Sequence, residues 1–194
     1  MAVTFERNAP GSLDADAAFA AIHALALRSP LRQPPSGVER LLDDGLVSRA
    51  EDGFRLTDRG HRSHRALCER ERQTLDLTGL GLTFVPIPQL ARRLRRLSRD
   101  WEAWPGELER RRVVRDLCAV VDETAPILLR STAVVPRFST YLPRLQAART
   151  RVGSGQLSYA FDADIDSIGG VWHELHEDYL QTLGIAYDER EATP

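Results

Sequence analysis

The chain has 194 residues, 42% of them hydrophobic and 28% charged, with a formal net charge of -2. That length holds one compact domain or two small ones, and two are expected. No apolar run approaches the roughly 18 residues of a membrane helix, and Glu6 and Arg7 precede any apolar stretch, which is no signal peptide; the expected setting is the cytoplasm, away from membranes.

Cys68 and Cys118 lie far apart inside helical patterns and read as two free thiols of a reducing compartment. The basic residues are all arginines, unevenly spread. Nine of them stand against five acids from Gln73 to Arg115, whereas Arg190 alone faces nine acids from Gly153 to Pro194. An acidic last helix beside a basic middle helix explains this as well as an external anion does.

Residues 1–12, with Asn8, Pro10, Gly11 and Ser12, read as a flexible arm. Asp14 or Asp16 then caps a helix from about Ala15 to Leu27, with Phe19, Ile22, Leu25 and Ala26 on its buried face. The following segment, broken by Pro30, Pro34 and Pro35, is too short for a further helix and a turn. Next comes a helix with Ser36 and Glu39 spaced as a capping box. Val38, Leu41, Leu42 and Leu46 face inward, and Glu39, Arg40, Asp43 and Asp44 outward. Leu46-Val47 and Phe54 to Leu56 flank Asp52-Gly53, the dipeptide of a tight hairpin. Thr57 caps a helix from Asp58 to about Leu77, which carries Arg59, His61, Arg62, His64, Arg65, Arg70 and Arg72.

Gly45-Leu-Val, a charged turn and Leu56-Thr57-x-x-Gly60 together resemble the wing of bacterial winged-helix regulators of the multiple-antibiotic-resistance-regulator type. The resemblance implies a DNA-binding transcriptional regulator over residues 13–77. Arg40 would lie on the recognition helix, Arg55 on the wing, and Arg59, Arg62 and Arg65 against the DNA backbone. Two features depart from that pattern. The proline-filled gap leaves the second helix of the helix-turn-helix cut down or missing, and three carboxylates on the recognition helix suit a phosphate-lined groove poorly. The alternative is a non-enzymatic protein–protein interaction module with a degenerate winged helix, its arginines a solvated face with Glu69 and Glu71 at pairing distance.

Thr78 to Pro88, with two glycines and two prolines, breaks helical spacing and reads as a linker at 78–88. A helical bundle is expected over 89–185. Leu90, Leu94, Leu97, Trp101 and Trp104 form one stripe; Pro105 opens the next helix, which Pro126 kinks or ends before a short apolar segment from Ile127 to Val135. Phe138, Tyr141, Leu142, Leu145, Ala148 and Val152 make another stripe. The last helix runs from about Asp166 to Leu183, with Ile168, Trp172, Leu175, Tyr179 and Leu183 on one face and Gly184 ending it; residues 186–194 are a tail. The fold class is thus mainly α, an N-terminal winged helix with a small β-hairpin wing and a C-terminal helical bundle. Trp101, Trp104, Trp172 and Tyr179 are core residues, or they line a small-molecule effector pocket or a homodimer interface.

Trp172-His-Glu-Leu-His-Glu-Asp178 approaches the His-Glu-x-x-His of zinc peptidases, but Glu177 stands where the second histidine belongs. His173, His176 and Glu177 lack a further ligand, and the stretch reads as a polar outer face carrying its charges to solvent or to arginines. Asp162-Ala-Asp-Ile-Asp166 lacks the glycine and glutamate of a calcium loop, which Ser167 and His173 replace. No phosphate-cradling glycine loop, Gly-x-Ser-x-Gly elbow or Cys-x-x-Cys pair occurs, so neither an enzyme nor a metal or other cofactor is expected.

The stretch Val171 to Gly184, with Gln89 to Trp104, is similar to a helical domain common in high-GC bacteria. That domain follows a small winged helix and also forms a tail on chains related to pyruvate phosphate dikinase. The likeness implies architecture rather than activity, with a phosphotransfer enzyme as one candidate partner; the kinase-like catalytic parts are absent.

Overall fold

The structure is a computed structural model that describes residues 15–103 and 106–185. It is mainly helical, with one two-stranded antiparallel hairpin among the described residues. The chain divides into two compact units, Met1–Thr74 and Leu75–Pro194, each around its own apolar core. The arm at 1–12, the tail at 186–194, Trp104 and Pro105 lie outside the described residues.

The first unit runs α1 (Ala15–Leu27), α2 (Val38–Asp43), β1 (Val47–Ala50), β2 (Gly53–Leu56) and α3 (Asp58–Arg72). Ile22 and Leu25 of α1, Leu41 of α2, and Leu46, Val47, Phe54 and Leu56 of the hairpin region form its core. Strand alternation sorts the hairpin: Val47 opposes Leu56 and both are buried, whereas Ser48 opposes Arg55 and both are exposed. Leu31 joins β2 as an isolated antiparallel bridge, exchanging hydrogen bonds of 3.0 and 2.9 Å with the Phe54 backbone. That approach explains Gly53, whose φ is +140° and whose added Cβ would lie 2.5 Å from the Leu31 carbonyl oxygen.

Thr57 caps α3 as its spacing predicts. Its hydroxyl oxygen accepts from the Gly60 N–H at 3.1 Å and donates to the Gly45 carbonyl at 2.7 Å, tying α3 to the start of the hairpin. The expected capping box of Ser36 and Glu39 does not form. Gly37, with φ at 75°, is the N-cap of α2 and makes no side-chain cap bond. The chain enters α2 through a turn in which the Val38 N–H meets the Pro35 carbonyl at 3.1 Å, so backbone does the capping. α3 ends at Arg72, short of the expected Leu77.

The second unit runs α4 (Leu77–Phe84), α5 (Ile87–Glu102), α6 (Glu107–Thr132), α7 (Tyr141–Gly153) and α8 (Ile168–Leu183), with 3-10 turns at Pro136–Thr140 and Leu157–Tyr159. The expected linker at 78–88 is a correction: it holds α4 and the first turn of α5. Asp76 caps α4 by accepting from the Gly79 N–H at 3.0 Å, and Leu80 is fully buried, which offsets the helix-weakening glycines. Pro86 and Pro88 sit at the N-terminus of α5, where a missing N–H costs no helical bond.

Pro126 does not end α6, which continues unbroken to Thr132. Thr124, Ile127 and Leu128 around it are buried, and core burial outweighs the lost bond. Ser167 caps α8 by accepting from the Gly170 N–H at 3.1 Å, and Gly184, at φ 69°, closes it as expected. No described helix is long and apolar enough to cross a membrane.

Candidate nucleic-acid interface

The residues expected to meet DNA lie on three elements of the first unit. Arg40 of α2 is exposed, but its Nε is 3.9 Å from Asp44 Oδ2 one turn on. Arg49 on β1 reaches back to α2, 3.6 Å from Glu39 Oε1, with its guanidinium 5.3 Å from the centre of the Phe54 ring. Arg55 on β2 pairs with Asp52 of the turn and holds that carboxyl below the usual carboxylate range. Arg40 on α2 and Arg55 on the wing thus each have an acidic partner within the unit.

α3 differs. Its inward side is Gly60, His64 and Cys68. Gly60 is there because the helix lies against the chain leading into β1, and a Cβ would fall 2.0 Å from the Leu46 carbonyl oxygen. Arg59, Arg62 and Arg65 recur at three-residue steps on the solvent side, all exposed, with no ion pair to them among the described residues. Glu69, one of the acids expected to quench them, pairs instead with Arg72. Arg59 lies beside Gly45, its Nη1 3.9 Å from where a Cβ would stand there, so the row of arginines starts next to the hairpin. Against this local excess, the whole unit Met1–Thr74 carries eleven arginines and eleven acids.

The second unit contains the other residues singled out. Trp172 and Tyr179 are core residues, 2% and 0% exposed, with the Trp172 indole N–H donating to Thr124 Oγ1 at 3.0 Å and the Tyr179 hydroxyl against Ser131. They do not serve as pocket or interface anchors. Trp101 is half-buried and lines an open cleft of about 410 Å³ with Arg110, Leu157, Phe161 and Asp162. His173 is exposed, while His176 stacks on Trp172 with ring centres 5.7 Å apart, so the two imidazoles occupy different surroundings.

Of the α8 charges expected to meet solvent or arginines, His173 is exposed, whereas Glu174 and Asp178 meet arginines in a buried seam. Asp178, 1% exposed, is forked by Arg137 and accepts from the Tyr141 hydroxyl at 2.9 Å, which together with burial pushes the Tyr141 phenol far up. Arg144 binds Glu174 at 2.8 and 3.1 Å and Asp166 through two bonds of 2.9 Å. Burial pushes the Glu174 carboxyl up to about 7, against the opposing pull of Arg144. These pairs join α7 and the turn before it to α8, so the seam positions helices.

No protein-family model, curated protein or solved structure matches this chain. Function is therefore read from the chemistry of these surfaces alone. One grouping escaped the sequence: His23 of α1 meets His64 and Cys68 of α3. Its only sequence signal is the one-turn spacing of His64 and Cys68, since His23 lies 41 residues upstream of His64.

Proposed function

We propose that the unit Met1–Thr74 is a winged-helix module that docks on duplex DNA, and that the chain is a transcriptional regulator. The element order supports this reading: a first helix, an extended Leu31 bridged to the hairpin, a short helix, the hairpin and a following helix. The observation that carries it is the row Arg59, Arg62 and Arg65, exposed on α3 and without ion pairs among the described residues. Such a row meets phosphates and gives affinity without reading bases. The helical second unit would then supply the homodimer contact or an effector site. Exposed Leu82, Val85 and Leu129 support the contact, and the cleft at Trp101 supports the effector site.

A second reading is favoured by one specific observation. The short α2 presents Glu39, Asp43 and Asp44, and its Arg40 is paired with Asp44. A protein partner with a basic surface fits that helix better than a major groove does. A phosphotransfer enzyme is the partner we propose for that reading.

The deciding experiment compares binding of the purified chain to its own upstream DNA and to a scrambled fragment. Preference for the upstream fragment that persists at higher salt supports the regulator. Weak, equal binding that vanishes with salt favours the protein-docking module.

A further inference from the structure

The geometry points to a metal site between α1 and α3, in which His23, His64 and Cys68 are the three protein ligands of one thiophilic d10 ion, Zn2+ or Cu+. Their ligand atoms all lie within 4.8 Å of one another, and the three residues are 4%, 6% and 4% exposed. His64 Nε2 is the centre of the group, 2.9 Å from His23 Nδ1 and 3.3 Å from Cys68 Sγ. A metal ion at the common point of the three atoms would bind all of them at once.

The distances agree with that placement. Metal–nitrogen bonds of about 2.0–2.1 Å and a metal–sulfur bond of about 2.3 Å in a tetrahedron set donor–donor edges of roughly 3.3–3.6 Å. The two edges at His64, 2.9 and 3.3 Å, need to open by only a few tenths of an ångström, while His23 and Cys68, within 4.8 Å of each other, close on the ion by rotamer adjustment. Two imidazoles and one thiolate, with no carboxylate in the set, select soft and borderline ions over magnesium or calcium. Zinc would complete its four-coordination with a water, and Cu+ accepts the three ligands alone. On binding, the metal–sulfur bond replaces the Cys68 S–H bond and its proton leaves to solvent; each imidazole ligates through an unprotonated nitrogen. Phe19 packs on the His23 ring with centres 5.3 Å apart, an apolar neighbour for the site. His64 and Cys68 sit on one helix and His23 on another, so the ion would clamp α1 to α3. This site stands independently of whether the unit binds DNA.

The test uses the full-length chain, purified reduced and metal-free. Titration with Co2+ is expected to raise a thiolate-to-cobalt charge-transfer band and intense visible d–d bands that saturate at one ion per chain and disappear when Zn2+ is added. In a separate arm, Cu+ is titrated against a chromophoric chelator. Tighter retention of Zn2+ or of Cu+ identifies which ion the site takes. Cys68→Ser should abolish the charge-transfer band and His64→Gln should weaken binding at least about tenfold, while Cys118→Ser keeps both. Far-ultraviolet circular dichroism confirms that each variant is folded, and His23→Gln replaces any that is not. Absence of the cobalt band together with failure to take Cu+ from the chelator in the unaltered chain overturns the site. A band that persists in Cys68→Ser, or that is lost in Cys118→Ser, overturns it equally.

Discussion

Arg137 donates from Nη2 to Asp178 Oδ1 at 2.7 Å, joining the turn before α7 to the middle of α8, with the carboxylate 1% exposed. A buried charge that loses its partner is left uncompensated, which costs far more than the pair contributes net. Arg137→Met is therefore expected to destabilise the second unit by about 3–5 kcal/mol, and the double variant Arg137→Met with Asp178→Leu to recover much of that loss. Urea unfolding followed by tryptophan fluorescence reads this unit alone, because Trp101, Trp104 and Trp172 all belong to it. A single variant as stable as the unaltered chain would contradict the assignment.

Glu174 gives the second unit a pH dependence of definite sign. Its carboxyl is raised from 4.5 to about 7 by burial, so the folded state holds a proton that the unfolded chain releases near its ordinary value. The contribution is fully present below about 4.5 and is lost as pH rises through about 7. Across that window the unaltered chain should lose stability relative to Glu174→Gln, by on the order of 3 kcal/mol at most. Parallel stability–pH curves for the two chains would refute the shift.

Two glycines should respond in opposite directions. A Cβ on Gly60 meets the Leu46 carbonyl oxygen at 2.0 Å, whereas one on Gly81, inside α4, meets nothing within 4 Å. Gly60→Ala should therefore disrupt the seat of α3 on the hairpin and cost several kcal/mol, seen as loss of helical signal in the first unit. Gly81→Ala should raise stability by about 0.5–1 kcal/mol through helix propensity. Tolerance of alanine at Gly60 would show that the two elements are not in contact.

What could be read from the chain was local. The Asp52-Gly53 hairpin, the Thr57 cap and the Gly184 stop depend on residues a few positions apart, and turn and cap chemistry act at that range. Thr78 to Pro88 misled because glycine and proline weaken an isolated helix, while Leu80 and Ile87 bury enough apolar surface to outweigh them. Of the two outcomes expected at Pro126, a kink or an end, the end is excluded for the same reason. That the charges of α8 meet solvent or arginines was legible, but not which arginines, because Arg137 and Arg144, the partners of Asp178 and Glu174, come from distant segments. His23 joins His64 and Cys68 only through the packing of α1 on α3, which no spacing within either helix announces.

The row on α3 makes a quantitative prediction for the regulator. Binding of the full-length chain to its upstream DNA, followed by fluorescence anisotropy from about 50 to 200 mM salt, should weaken steeply, with a log–log slope to which each phosphate contact adds roughly 0.9. Replacing Arg59, Arg62 and Arg65 by alanine should weaken binding to upstream and scrambled fragments alike and flatten that slope by about 3. Affinity and slope unchanged in the triple variant would contradict the proposed interface and turn the acidic face of α2 toward a protein partner.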